Sequence, residues 1–148
     1  MEMPKDEALA ADRDVVFALV RMAEEIGRGL SEGLRPFRLT LSQYRVLRLL
    51  RWAGDEGLAC REIAARLVPR DPDVTRLLDR LETRGLVTRR RDRPDRRVVR
   101  TRLTEEGLRV LERLDELVER LHSRYLGQLG SAALGALNAA LKAAGHAS

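Results

Sequence analysis

Arginine is the residue around which any chemistry of this 148-residue chain has to be built. Nine arginines stand between Arg84 and Arg102 (84, 89, 90, 91, 93, 96, 97, 100 and 102), opposed by Asp92 and Asp95, a net charge of +7 within nineteen residues. The whole chain carries +5, so the rest is net negative and the positive charge is localised. A guanidinium is planar, permanently charged, and forks onto phosphate oxygens or guanine edges. A confined block of them is the footprint of a surface for a polyanion. Two plainer readings compete: a solvated charged face, and arginine usage inherited from a GC-rich genome, since Lys5 and Lys142 are the only lysines. Leu86, Val87, Val98, Val99 and Leu103 interleave the arginines, so the run belongs to folded structure rather than to a tail.

Residues for other chemistry are sparse. The single cysteine, Cys60, stands beside Arg61 near the start of a short helical stretch, where the helix dipole and a guanidinium favour a thiolate. The competing reading is a small, half-buried apolar residue. His122 and His146 lie far apart with no further ligand at metal spacing. No nucleophile is paired with a base, and no glycine loop follows a strand. The sequence therefore predicts no metal, no cofactor, no catalytic residue and no enzyme activity. No apolar run approaches the roughly 20 residues of a membrane span, and the N-terminus lacks a signal-peptide core, so a soluble, cytoplasmic protein without a membrane partner is expected.

The elements that must position the arginines follow from periodicity. Hydrophobic residues make up 44% and aromatics 3%, so the core must be Leu, Val and Ala, in a mainly helical chain. Val15, Val16, Leu19, Val20, Ala23 and Ile26 predict a first helix over about 6–30, loosened and ended by Gly27, Gly29, Gly33 and Pro36. Thr40 and Gln43 form a capping box for a second helix to about Trp52, and a short third helix covers 61–67. Asp71 as cap, Pro72 at the first helical position and Asp73 in the first turn open a fourth helix, which buries Val74, Leu77, Leu78 and Leu81 and leaves Thr75, Arg76, Asp79 and Arg80 on other faces. Two short helices joined by a tight turn form a helix-turn-helix, whose second helix reads base edges in a major groove.

Beyond Gly85 the period changes to two. Residues 86–91 and 98–103 read as strands around the turn 92–95, a hairpin wing whose arginines reach phosphate or a minor groove. Thr104 caps a long helix with Leu108, Leu111, Leu114, Leu117, Val118, Leu121 and Tyr125 as its stripe, and a last helix spans about 131–144. The fold expected is mainly α with a small β-hairpin wing (α+β), a winged helix-turn-helix core flanked by N- and C-terminal dimerisation helices. The expected parts are 1–36, an N-terminal dimerisation helix; 37–104, the DNA-binding domain; and 105–148, the C-terminal dimerisation helices. The flanking helices expose more apolar stripe than so small a core can use, which points to a second subunit; packing on their own subunit is the alternative.

Between about Thr40 and Gly107 stand, in order, Arg61-Glu62-Ile63-Ala64-Ala65-Arg66-Leu67, Val74 through Val87 with its Arg84-Gly85-Leu86, the wing residues Asp95-Arg96-Arg97, and Leu103-Thr104-Glu105-Glu106-Gly107. Their order and spacing carry a resemblance to the MarR family of bacterial winged-helix transcription regulators. It implies a homodimer of triangular outline on double-stranded DNA with a palindromic operator, a repressor released by a small-molecule effector. It also implies that Arg97 enters the minor groove with Asp95 orienting it, and that Thr75 and Arg76 sit at the major groove. The full set of expected DNA-facing residues is Arg70, Asp73, Thr75, Arg76 and Arg80 around the recognition helix, with Arg90, Arg93, Asp95, Arg96 and Arg97 in the wing. Val68 replaces a common glycine, and Pro72 with Asp73 replace a small polar start, departures that imply an altered operator; Asp73 can accept from cytosine N4. A phenolic or other small lipophilic effector is expected in a cleft lined by Phe17, Arg21, Tyr44, Arg45, Leu47 and Trp52, each of which also reads as core or surface. A protein-interaction winged helix and a small enzyme are the competing functions. The first has no need of an acid-poor wing, and the second requires clustered His, Cys or carboxylates.

Overall fold

A computed structural model describes residues 5–67, 73–92 and 95–145, with side chains from residue 14 onward. The elements run α1 (Lys5–Leu34), a 3-10 turn (Arg35–Phe37), α2 (Leu41–Ala53), a second 3-10 turn (Gly54–Glu56), β1 (Leu58–Ala59), α3 (Cys60–Arg66), α4 (Val74–Thr83), β2 (Val87–Arg91), β3 (Val99–Leu103), α5 (Glu105–Leu126) and α6 (Ser131–Gly145). The mainly helical, winged architecture expected from the sequence is the one observed. Two compact units divide the chain: one gathers the residues up to Leu30 with those from Val118 onward, the other is Ser31–Leu117.

The core of the Ser31–Leu117 unit is aliphatic, as the composition requires. Leu34, Val46, Leu47, Leu50, Ile63, Leu78, Leu81, Leu111 and Leu114 are fully buried or nearly so. Thr40 caps α2 through the expected reciprocal pair: its hydroxyl accepts from the Gln43 N–H at 3.2 Å, and Gln43 Oε1 accepts from the Thr40 N–H at 3.0 Å. The fourth helix ends in a Schellman turn, with Gly85 at φ +70°, its N–H on the Glu82 carbonyl (2.8 Å) and the Leu86 N–H on the Leu81 carbonyl (3.0 Å). That turn delivers the chain directly into β2. Thr104 then caps α5, its hydroxyl accepting from the Gly107 N–H (3.1 Å) while donating to the Gly85 carbonyl (2.6 Å).

Three features depart from the sequence reading. The first helix continues to Leu34, through Gly27, Gly29 and Gly33. Two of these glycines mark close approach instead of a break: within the terminal unit a Cβ at Gly29 would run into Leu121, and within the core unit one at Gly33 would run into both δ-carbons of Leu117. A third strand, β1, pairs antiparallel with β3, giving the sheet order β1-β3-β2 with Leu58 opposite Thr101 and Val87 opposite Leu103. Finally, α4 starts at Val74 with Asp73 as its N-cap, where Asp71 was expected to cap and Asp73 to lie in the first turn. Asp73 Oδ1 accepts from the Arg76 N–H at 3.0 Å, so the carboxylate satisfies an orphan amide at the positive end of the helix. Asp71 and Pro72 lie outside the described residues.

The terminal unit is poorly self-covered. Val15, Val16, Phe17, Leu19 and Val20 on α1 and Leu141 on α6 are exposed large apolar side chains, and no residue of α6 is buried. No described helix is long and apolar enough to cross a membrane.

Candidate nucleic-acid interface

The fourth helix sorts its residues by face as its periodicity demands: Val74, Leu77, Leu78 and Leu81 are buried, while Asp73, Thr75, Arg76, Asp79 and Arg80 are exposed. Asp73, Arg76 and Arg80 follow each other at helical spacing on one side. The Asp73 cap orders the first turn on which Thr75 and Arg76 stand.

The wing divides its arginines into two sets that charge counting cannot separate. Arg90, Arg91, Arg96 and Arg97 are exposed and make no ion pair with a described residue. Arg84, Arg89, Arg100 and Arg102 are instead tied into the fold. Arg84 forks onto the Phe37 and Arg38 carbonyls at 2.6 and 2.7 Å, and Arg102 Nε donates to the Asp55 carbonyl at 2.6 Å. Arg100 binds Asp92 at 2.7 Å, the Gly57 carbonyl at 3.2 Å and Glu62 at 3.4 Å. Arg89 is held by Glu82 and Asp79 of α4. Half of the eight described arginines in the basic run are therefore structural ties, and the electropositive surface is narrower than the sequence suggests.

Asp95 does not contact the Arg97 guanidinium directly. Its Oδ1 accepts from the Arg97 backbone N–H at 2.9 Å, an Asx-type turn that two residues of separation favour and that fixes the backbone from which Arg97 projects. The Val98 N–H on the Asp95 carbonyl (3.0 Å) and the Asp92 N–H on the Val98 carbonyl (2.8 Å) close the hairpin end. Arg70 and Arg93 lie outside the described residues, as do Val68, Pro94 and His146.

Two carboxylates of the same unit, Glu62 and Asp115, are favoured in their ionised form. The Ala59 N–H, donating to Glu62 at 2.7 Å, lowers the Glu62 carboxyl below its ordinary value, and Arg100 adds to the effect. Asp115 on α5 is lowered by the bidentate fork of Arg51 (2.8 and 2.9 Å). Burial pushes the Tyr44 hydroxyl up. Cys60 is half-buried with Sγ 3.8 Å from the Thr75 hydroxyl.

The residues expected to line an effector cleft fall in both units. Tyr44 and Leu47 point into the core, and Leu47, at 0% exposure, has no surface to offer a ligand. Phe17 and Arg21 are exposed on α1 in the terminal unit. The neighbouring face of α2 is different: Arg45, Arg48, Leu49 and Trp52 line an open groove of about 670 Å³ with Arg66 of α3 and Leu67 just beyond it, and Trp52 is 94% exposed. Arg45, Arg48 and Arg66 have no ion pair among the described residues. Sequence reasoning missed Arg48 and Arg66; the spacing 45, 48, 52 along one helical face was the available signal.

Comparison with known proteins is consistent throughout. The model of the MarR family matches residues 39–99. The HTH-type transcriptional regulator TtmR of Methylorubrum extorquens (strain PA1) is 39% identical over 111 residues, 75% of this chain, and the chain spans 56% of that relative's length. The HTH-type transcriptional repressor MdtR of Bacillus subtilis (strain 168) is 31% identical over 116 residues, 78% of this chain and 74% of the relative. Among solved structures, CouR from Rhodococcus jostii RHA1 bound to p-coumaroyl-CoA superposes with a TM-score of 0.79 at 30% identity, covering 91% of this chain and 94% of that one. The S. aureus MepR–DNA complex gives a TM-score of 0.71 at 25% identity, covering 86% and 93%. With a relative 31% identical over most of both lengths and a winged helix carrying the matched residues, the chain belongs to the MarR family of transcription regulators.

Proposed function

We propose that this protein is a homodimeric, sequence-specific DNA-binding regulator, a repressor that leaves a palindromic operator when a small-molecule effector binds. The observation that carries the reading is the pairing, in one compact unit, of an exposed polar face on α4 with a wing bearing four arginines free of ion pairs among the described residues. Thr75, Arg76 and Arg80, with Asp73, meet base edges in the major groove. Arg90, Arg96 and Arg97 meet phosphate or the minor groove, with Asp95 fixing the backbone at Arg97; Arg70 and Arg93 complete the set. MepR, solved on DNA, and MdtR, named a repressor, support this assignment.

A dimer is supported by the exposed apolar side chains of α1 and α6, which an isolated chain leaves in water. Dimeric readers place two recognition helices about one helical turn of DNA apart, hence the palindrome. Arg76→Ala and Arg90→Ala separate the two kinds of contact. Loss of Arg76 should relax base preference at one position of each half-site at a cost of about 1–3 kcal/mol, whereas loss of Arg90 should weaken all duplexes alike and reduce the salt slope by about one. Equal losses on preferred and random duplexes for both variants would displace α4 from the recognition role.

Effector release is supported by the α2/α3 groove and by CouR, which was solved with p-coumaroyl-CoA. Trp52 and Leu49 offer apolar contact, and Arg45, Arg48 and Arg66 offer charge to an anionic group. Trp52 is the only tryptophan, so its fluorescence reports the groove directly. An effector should quench it and release DNA over the same concentration range. Release without any change in Trp52 emission would place the effector elsewhere.

A further inference from the structure

Arg89 stands in the most basic stretch of the chain yet is bound entirely by acids of the recognition helix. Its backbone N–H donates to Glu82 Oε1 at 3.0 Å, its Nε donates to Glu82 Oε2 at 2.8 Å, and its Nη2 donates to Asp79. Asp79 and Glu82 are three residues apart on α4, and Arg89 is the third residue of β2. Main chain and side chain of one wing residue are thus clamped to two consecutive turns of the helix. The connection between these elements also runs through the Schellman turn at Gly85 and the buried Leu86 and Val87, and Arg89 adds a tie two residues beyond that packed end. Ion pairs as exposed as these add little to stability, because water and salt screen them. Geometry is what a fork shared by two carboxylates can supply, since a planar guanidinium donates to both only when its plane is suitably oriented.

We propose that Arg89, Glu82 and Asp79 are positioning residues for DNA reading: they set the direction in which the wing leaves the recognition helix, and so the register between what α4 reads and what the wing arginines reach. The inference rests on the DNA-reading function proposed above. Its consequence runs against simple electrostatics. Glu82 and Asp79 are acids beside a surface for a polyanion, so charge alone makes their removal favourable for DNA. Positioning makes it unfavourable for the right sequence and indifferent for the wrong one, because non-specific binding needs only charge whereas specific binding needs both elements in register.

The test uses the full-length protein and two duplexes, one enriched from a random pool by the wild type and one unselected. Affinities are measured by fluorescence anisotropy for wild type, Glu82→Gln and Arg89→Lys, with thermal melting run alongside. Positioning predicts that Glu82→Gln weakens the selected duplex by about tenfold, comparable to one mismatched base pair, while binding of the unselected duplex is unchanged or tighter. Arg89→Lys, which keeps the charge but loses the fork, should lower the same ratio. A purely stabilising role would lower both affinities in parallel with the melting temperature, and bulk charge would raise both; either result overturns the inference. A wild type that prefers no duplex would instead overturn the DNA-reading function itself, and a wild type that discriminates while both variants keep the full ratio would overturn positioning alone.

Discussion

The same substitution, Gly→Ala, should stabilise at one position of α1 and fail to stabilise at another. Glycine inside a helix costs about 0.8–1.0 kcal/mol relative to alanine, mostly through backbone entropy, so Ala is favoured wherever its methyl fits. At Gly27 nothing lies within 4 Å of the added Cβ, and Gly27→Ala should stabilise by about 1 kcal/mol. At Gly33 the same gain meets Leu117, whose two δ-carbons and γ-carbon occupy the position of the methyl, and Leu117 is itself a buried side chain. It must leave its rotamer or push the helices apart, an overpacking cost of about 1–3 kcal/mol. Gly33→Ala should therefore be neutral to destabilising by about 2 kcal/mol. The two variants differ by about 1–3 kcal/mol, roughly 3–10 °C in melting temperature for a chain of this size. Calorimetry on both variants, on Leu117→Ala and on Gly33→Ala/Leu117→Ala completes a cycle. Once Leu117 is truncated, Gly33→Ala should recover the stabilisation seen at Gly27. A Gly33→Ala variant as stabilised as Gly27→Ala, or full additivity with Leu117→Ala, would refute the close approach of these helices.

Other expectations test separate parts of the account. Asp95→Ala should weaken DNA binding although it removes a negative charge, because the turn at Arg97 loses its 2.9 Å tie; its loss and that of Arg97→Ala should be less than additive in anisotropy titrations, and tighter binding by Asp95→Ala would contradict this. Deleting residues after Gly127 should yield monomers or insoluble protein without tight operator binding, as read by light scattering and gel shift, and a soluble dimer with unchanged affinity would oppose it. Glu62 and Asp115 have depressed pKa values in the folded state, so the unfolded chain binds more protons as pH falls. Their stabilisation is fully present above the ordinary carboxylate range and is lost as pH drops through the depressed values, so urea midpoints should fall on acidification, less steeply for Asp115→Asn.

Local rules made several features legible in the sequence. Thr40 and Gln43 cap α2 across three residues, Gly85 needs a positive φ, and the four buried residues of α4 follow from period alone; each depends on a few neighbours. What was missed depends on distant partners. Gly29 and Gly33 read as breakers because the leucines that need the space are on α5. The strand β1, two residues long, exists only by pairing with β3. The candidate site divides the same way. The exposed face of α4 was visible, but the hydrogen bonds that tie Arg84, Arg100 and Arg102 to the fold were not, because their partners at Phe37, Arg38, Gly57, Glu62 and Asp55 lie 38 to 47 residues away. Tyr44 and Leu47 read either as cleft or as core, and their burial follows from which side of α2 the rest of the unit packs on.

Selection from a pool of random duplexes, followed by sequencing and by titration of the enriched duplex at increasing salt, tests the central claim most directly. The account predicts enrichment of a palindrome with half-sites about 10 base pairs apart, bound by two chains, with affinity that falls steeply as salt rises. Absence of any enriched sequence, or binding that ignores both sequence and salt, would contradict it.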